Sequence, residues 1–279
     1  MAYKSILTVL TEVAQMRQLD AAIALARQND GHLEVFCLGV DRSQMGYYYA
    51  GDPAFVYQDV LDTAMEGAKA LEKQIRERLS GEGDLRWSVD SAVAQAGGLN
   101  SLIAIRARFS DLMIQTHPYG EGAPMEAEPV TEAAMFDGGC PVLVLPAAAH
   151  PVWPPKRVVI AWNNSSEAMA AVRSALPVLT GAEAVEITVI DPRPQVLDRF
   201  EPGEALAQML ARHGVETEIA VIASAGKQVS EALNRRAIET AADLIVMGAY
   251  GHSRFRQAIL GGATRNMLEK ARVPVLMAR

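Results

Sequence analysis

Gly248, Gly251, Gly261 and Gly262 punctuate a single stretch, Asp243 to Thr264, that reads DLIVMGAYGHSRFRQAILGGAT, with Arg254 and Arg256 between the two glycine pairs. Without a Cβ, glycines let backbone N–H groups come close to an anion, and a helix that starts among them adds the positive end of its dipole. That combination suits phosphate. Two glycines alone would fit a plain strand-to-helix turn with no ligand; the further glycines and the arginines favour the anion reading. Arg265, and Lys227 after Gly226, are additional cations within reach of such a site.

Other chemistries find little support. The chain lacks the G-x-x-x-x-G-K-[ST] phosphate loop, the G-x-S-x-G serine elbow, and a G-x-G-x-x-G turn after the first strand of either half. Asp191 and Asp243 fall at strand termini, and an isolated carboxylate is a poor catalytic constellation. His32, His117, His150, His213 and His252 are scattered, and Cys37 and Cys140 lie inside apolar runs without metal-ligand or redox spacing, so neither zinc nor a disulfide is expected. The expectation is a binding protein and not an enzyme, with weak ATPase activity left open and a nucleotide hydrolase or transferase as a distant alternative.

The elements that must position the glycine stretch come from an alternating pattern. The chain has 279 residues, half of them hydrophobic and 21% charged, with a net charge of -7, which disfavours a surface built for nucleic acid or anionic membrane. No apolar run is long enough to span a bilayer and the N-terminal run is too short for a signal peptide, so a cytoplasmic location is expected. KSILTVL reads as a strand, 13–28 as a helix, and LEVFCLGVD as a second strand. A loop over 41–60 gathers Tyr47, Tyr48, Tyr49, Phe55 and Tyr57, either as a ligand lid or as packing over the neighbouring helix, which runs over 56–79. A strand near 85–92, a helix near 99–108, the strand DLMIQT and the run CPVLVLP complete the first half.

Prolines at 151, 154 and 155 mark a linker, after which the pattern begins again: strand RVVIAWNNS, helix 167–179, strand 184–191, helix 204–213, strand 215–223, helix 228–241, strand 243–248 and the closing VPVLMAR. Asp111-Leu112-Met113-Ile114 matches Asp243-Leu244-Ile245-Val246 at an offset of 132, Pro141-Val142-Leu143 matches Pro274-Val275-Leu276 at 133, and Val40-Asp41 matches Ile190-Asp191 at 150. The change from 150 to 132 places about 18 extra residues in the first half. The fold class is therefore α/β: two Rossmann-like domains, each a five-stranded parallel sheet flanked by helices, at 1–147 and 156–279 with a linker at 148–155. Across the repeat, Gly248, Gly251, Gly261 and Gly262 face Thr116, Tyr119, Glu128 and Pro129. The acidic, proline-bearing counterpart is hostile to polyphosphate, so phosphate binding is expected in the second half only.

The spacing of Gly248, two residues, Gly251, nine residues and Gly261 resembles the diagnostic motif of the universal stress protein family, and the repeated strand pattern resembles its tandem form. The family pattern continues with Ser or Thr after the last glycine; this chain has Gly262 there and Thr264 two further on. The resemblance implies an adenine-nucleotide site, with ATP and magnesium as its occupants. It would consist of Asn163 at the family's first-strand Asp position, Val189 lining the adenine pocket, and Gly248, Gly251, Gly261, Gly262 and Thr264 around the phosphates, with Arg254 as compensating charge. It also implies that the final strands pair across a pseudo-two-fold, making an intramolecular pseudo-dimer, with a homodimer as a further arrangement. The alternative reading is the same fold without ATP, as a scaffold or as a holder of another small or lipid-like ligand.

Overall fold

The computed structural model describes residues 2–40, 53–94, 97–120, 122–146, 153–192, 201–249 and 262–279, with side chains of the second helix from residue 61. The chain folds into two compact units: one comprises Tyr3–Gln115 and Pro124–Cys140, the other Met1–Ala2, Thr116–Ala123 and Pro141–Arg279.

In the Tyr3–Gln115 unit, β1 (Ser5–Leu10), α1 (Met16–Gln28), β2 (His32–Val40), α2 (Pro53–Ser80), β3 (Arg86–Ala94), α3 (Leu99–Ala107) and β4 (Leu112–Thr116) alternate, and α4 (Ala127–Phe136) follows. The strands lie in the order β3-β2-β1-β4 and every pair is parallel. Near-continuous apolar runs suit a sheet covered by helices on both faces, and Ile6, Leu7, Leu33, Phe36 and Leu112 are fully buried.

The other unit holds β5 (Val142–Leu145), β6 (Arg157–Trp162), α5 (Ser166–Leu179), β7 (Ala184–Ile190), α6 (Glu204–Arg212), β8 (Thr217–Ile222), α7 (Val229–Glu239), β9 (Leu244–Gly248), α8 (Ala263–Lys270) and β10 (Val275–Ala278). Its order is β5-β10-β9-β6-β7-β8. All pairs are parallel except β5 with β10, where Leu143 faces Leu276 in an antiparallel ladder. The five strands β10-β9-β6-β7-β8 are all parallel, as expected of the second half, and β5 joins them as an antiparallel partner of β10.

The two strand sets repeat in detail. Leu10 pairs with Cys37 as Trp162 pairs with Val189, and Ile6 pairs with Leu112 as Val158 pairs with Leu244. The offsets are 162 − 10 = 152 for the first two strands and 244 − 112 = 132 for the fourth. The sequence match of Val40-Asp41 with Ile190-Asp191 is therefore two residues out of register: Gly39 stands opposite Asp191, and the first half carries 152 − 132 = 20 extra residues, not 18. Asp111 Oδ2 accepts from the backbone N–H groups of Lys4 and Ser5 at 2.7 and 2.9 Å; Asp243 Oδ2 does the same for Lys156 and Arg157 at 2.8 and 3.0 Å. Each aspartate thus closes the start of a fourth strand onto the start of a first.

Helix α4 occupies a stretch that reads in sequence as a decayed glycine loop. Pro129 is compatible with it because the proline lies in the first turn, where its missing N–H has no intrahelical acceptor.

Candidate functional site

The carboxyl ends of β6, β7 and β9 bring Asn163, Asp191 and Gly248 to one end of the sheet. Asn163 follows β6 and is exposed, and its Oδ1 accepts the Ser165 N–H at 3.2 Å, while Ser165 Oγ caps α5 by accepting from Ala168 N–H at 3.1 Å. Asn164 turns the chain with φ 59°. Asparagine tolerates that left-handed backbone better than most residues. After β7, Asp191 sits at φ 45° and its carboxylate accepts from Ser224 N–H at 3.2 and 3.3 Å. That bond ties the end of β7 to the turn after β8, in which Ala225 and Gly226 are both left-handed and Lys227 is exposed.

Gly248 ends β9 in close contact with α5. A Cβ there would lie 2.4 Å from Ala168 N and 2.6 Å from Glu167 C. The glycine is accounted for by this approach of strand to helix. Gly262 is the N-cap of α8, with φ −64° and ψ 160°, and contributes no side chain to the cap; Thr264, in the first turn, is buried. Val189 is 5% exposed, and its side chain points under Gly203, toward the start of α6. Of the residues expected at the site, the carboxyl ends of the strands and the start of α8 thus hold Asn163, Val189, Gly248, Gly262 and Thr264, whereas Gly251, Arg254 and Gly261 lie outside the described residues, as do Arg256 and the tyrosines of 47–49. Arg265 is exposed and its guanidinium lies 4.8 Å over the Tyr119 ring.

Charge separates the starts of α5 and α8 at this end. Glu167 stands in the first turn of α5, where its own backbone N–H, outweighing partial burial, and the hydroxyls of Ser166 and Ser165 hold its carboxyl below the usual range. An anion already occupies that dipole. The first turn of α8 carries no acidic residue and remains the electropositive start.

The matching ends of the first set of strands are closed by the protein itself. Gln18, fully buried, donates through Nε2 to Thr8 Oγ1 at 2.8 Å, Val9 O at 2.9 Å and Gln115 Oε1 at 3.0 Å; Gln15 Oε1 accepts from Thr11 N–H at 2.6 Å. Above β2, a Cβ on Gly39 would lie 2.5 Å from Ala64 O, so α2 crosses where Asp191 stands in the second set. The sequence pattern did not single out Gln15 or Gln18.

Two further features went unread in the sequence. Glu186 on β7 is buried and accepts two bonds from Arg236 of α7, at 2.8 and 2.6 Å, and a third from Thr188 Oγ1 at 2.6 Å. Burial pushes its carboxyl up, but those bonds outweigh it and the group stays below the usual range. Glu34, at the corresponding register position of β2, pairs with Arg106 of α3 at 3.6 Å. The second feature is a bond from Asn266 Nδ2 to Gln228 Oε1 at 2.9 Å. Cys37 and Cys140 are buried free thiols, pushed up to about 12 by burial, as expected of structural residues. Among the described residues, no helix is long and apolar enough to cross a membrane and no cluster of three acidic, histidine or cysteine side chains could hold a metal. An open hollow lined by Ala207, Ala211, Val215 and Thr217 lies at the other, amino-terminal end of β8.

Comparison with known proteins agrees with this architecture. A family model described as the universal stress protein family matches residues 155–279. Universal stress protein Slr1230 from Synechocystis is 33% identical over 86 residues, a match that covers 31% of this chain and 28% of that relative. Among solved structures, a universal stress protein from Archaeoglobus fulgidus superposes with a TM-score of 0.72 at 15% identity, over 100% of this chain and 97% of the other. The protein PA1789 from Pseudomonas aeruginosa PAO1, of unknown function, gives 0.57 at 18% identity over 99% and 92%. At these identities the structural likeness establishes a shared α/β fold. Residues 155–279 therefore form a universal stress protein domain.

Proposed function

We propose that this chain is a tandem universal stress protein that binds an adenine nucleotide, ATP with magnesium, in its second half and has no catalytic role of its own. What carries the reading is the contrast between the carboxyl ends of the two strand sets: Gln15, Gln18 and α2 close the first, while the second leaves Asn163 exposed beside Gly248. The residues present fit the group. With its Oδ1 engaged by Ser165, Asn163 keeps two amide hydrogens to donate to a ribose or base acceptor. The start of α8, with neither an acid nor a capping side chain, suits phosphate. Gly251, Gly261 and Arg254 complete the phosphate side and Val189 borders the base. The domains run over 1–147 and 156–279, with the β5–β10 ladder joining the last strands as in a pseudo-dimer. The protein works in the cytoplasm.

A second reading, the same fold without nucleotide, draws support from Gly248 and Asn163, since the helix approach and the Ser165 turn account for both without a ligand. One experiment separates them. Protein purified without added nucleotide is denatured and the supernatant chromatographed for ATP or AMP, alongside calorimetric titration with ATP and magnesium. Released nucleotide, or heat that saturates, supports the first reading; no release and no heat at millimolar ATP would leave the second.

A further inference from the structure

The start of α8 is not held by its own cap. Gly262 offers no side chain, and the helix is fastened sideways to α7: at its far end Asn234 Nδ2 donates to Lys270 O at 3.1 Å and Asn234 Oδ1 accepts the Arg272 N–H at 3.0 Å. Near its start, Asn266 donates to Gln228 Oε1 at 2.9 Å. Gln228 is itself the N-cap residue of α7, in extended backbone conformation, and its side chain makes no capping bond to its own helix. It is turned to α8 instead. The turn before it is fixed from the opposite side, where the Asp191 carboxylate accepts Ser224 N–H and Lys227 N–H donates to Ser224 O at 3.1 Å. A chain of short polar links therefore runs from the end of β7, through the β8–α7 turn, to the first turns of α8.

We propose that Gln228 and Asn266 are positioning residues for the phosphate side of the site: their hydrogen bond holds the electropositive start of α8 at a set distance from the Asp191 and Lys227 turn. This rests on the nucleotide reading of the second half. Neither side chain needs to touch the nucleotide. A misplaced helix start weakens the pull on phosphate because helix-end electrostatics fall off within the first turn, while the ribose and base contacts at Asn163 and Val189 belong to other strands and stay as they are. The bond thus tunes affinity for the phosphates and leaves affinity for the nucleoside alone.

The test is calorimetric titration of the full chain with ATP plus magnesium and, separately, with adenosine, for wild type, Gln228→Ala, Asn266→Ala, the double variant and Asn234→Ala. Each of the first two single variants is expected to bind ATP about five-fold more weakly, the loss of one neutral hydrogen bond, with adenosine affinity unchanged. The double variant should be no weaker than either single, since one bond is lost in all three. Asn234→Ala, which frees the far end of the same helix, should lower Tm but keep the ratio of ATP to adenosine affinity. Equal losses for ATP and adenosine, additive losses in the double variant, or an Asn234→Ala ratio that moves as far as the others would each overturn the assignment. Wild type that binds ATP with unaltered affinity in the variants overturns this inference alone; wild type that binds neither ligand overturns it together with the nucleotide reading.

Discussion

Gly248→Ala separates two reasons for a glycine at the end of β9. A residue kept only for close approach of a ligand could gain a methyl group without cost to the unliganded protein. Here the methyl would meet Ala168 N at 2.4 Å, Glu167 C at 2.6 Å and Ala168 Cα at 2.9 Å. Ordinary contact begins at 3.4 Å, so the first two fall short by 1.0 and 0.8 Å. All three atoms are backbone, in a helix start fixed by the Ser165 cap, and no side-chain rotation relieves them. The first turn of α5 must move off β9. Overpacking of this kind costs about 1–3 kcal/mol, and a backbone collision belongs at the upper end, about 3 kcal/mol. For a chain of this size that is a fall in Tm of about 6–12 °C. Thermal and urea unfolding followed by circular dichroism, with nucleotide removed, measures it. A variant that unfolds within about 2 °C of wild type would refute the packing argument and return Gly248 to a purely ligand-directed role.

Three other substitutions probe separate parts of the second half. Arg236→Met leaves the Glu186 carboxylate buried without its two-pronged partner. A fully buried pair broken this way costs about 3–5 kcal/mol; with Arg236 27% exposed, about 2–3 kcal/mol is expected from urea midpoints. Because the folded Glu186 titrates below its unfolded value, the stabilisation is complete above the ordinary carboxylate range and is lost as pH falls through the lower, folded value. The wild-type advantage over Arg236→Met should therefore shrink on acidification, and an advantage that grows would contradict the pairing. Gly262→Ser, at a backbone angle any residue adopts, supplies both a helix cap and the hydroxyl of the family pattern. It should add a few tenths of a kcal/mol of stability and tighten ATP binding about five-fold by titration calorimetry. Asn163→Asp should keep the bond to Ser165 N–H and leave Tm within about 2 °C, while offering ribose hydroxyls a charged acceptor; adenosine binding should tighten several-fold.

How much of this was legible in the sequence depends on the range of the interaction. Strands and helices were legible because apolar alternation and turn residues are local: the helix at 204–213 and the strand at 243–248 lie within a residue of their observed bounds. Register was not, since a repeat match such as Val40-Asp41 compares letters and not hydrogen-bonded partners; only the ladder revealed Gly39 opposite Asp191. Gly248 stood out through the glycine spacing and Asn163 through the family resemblance, and the structure supplied their local reasons. Gln228 and Asn266 gave no sign. They are 38 residues apart, in a turn and a helix whose packing no pattern states.

The repeat shows what each half is obliged to keep. Asp111 and Asp243 tie the same pair of strands at the amino ends, and Glu34–Arg106 and Glu186–Arg236 brace the same strand against the same helix. These are requirements of the fold, since both copies meet them with the same residue types at corresponding positions. The differences gather at the opposite end of the strands: Thr11 against Asn163, Thr116 against Gly248, Gly39 under α2 against an exposed Asp191. A fold free to vary everywhere would not confine its divergence to the end where α/β sheets take their ligands. In the first half that end is filled with glutamine hydrogen bonds and a helix; in the second the described residues there are the exposed Asn163 and Asp191 and the start of α8. The second half is therefore the place to look for the proposed ligand, and the Gln228–Asn266 bond is what ties the start of α8 to the turn before α7.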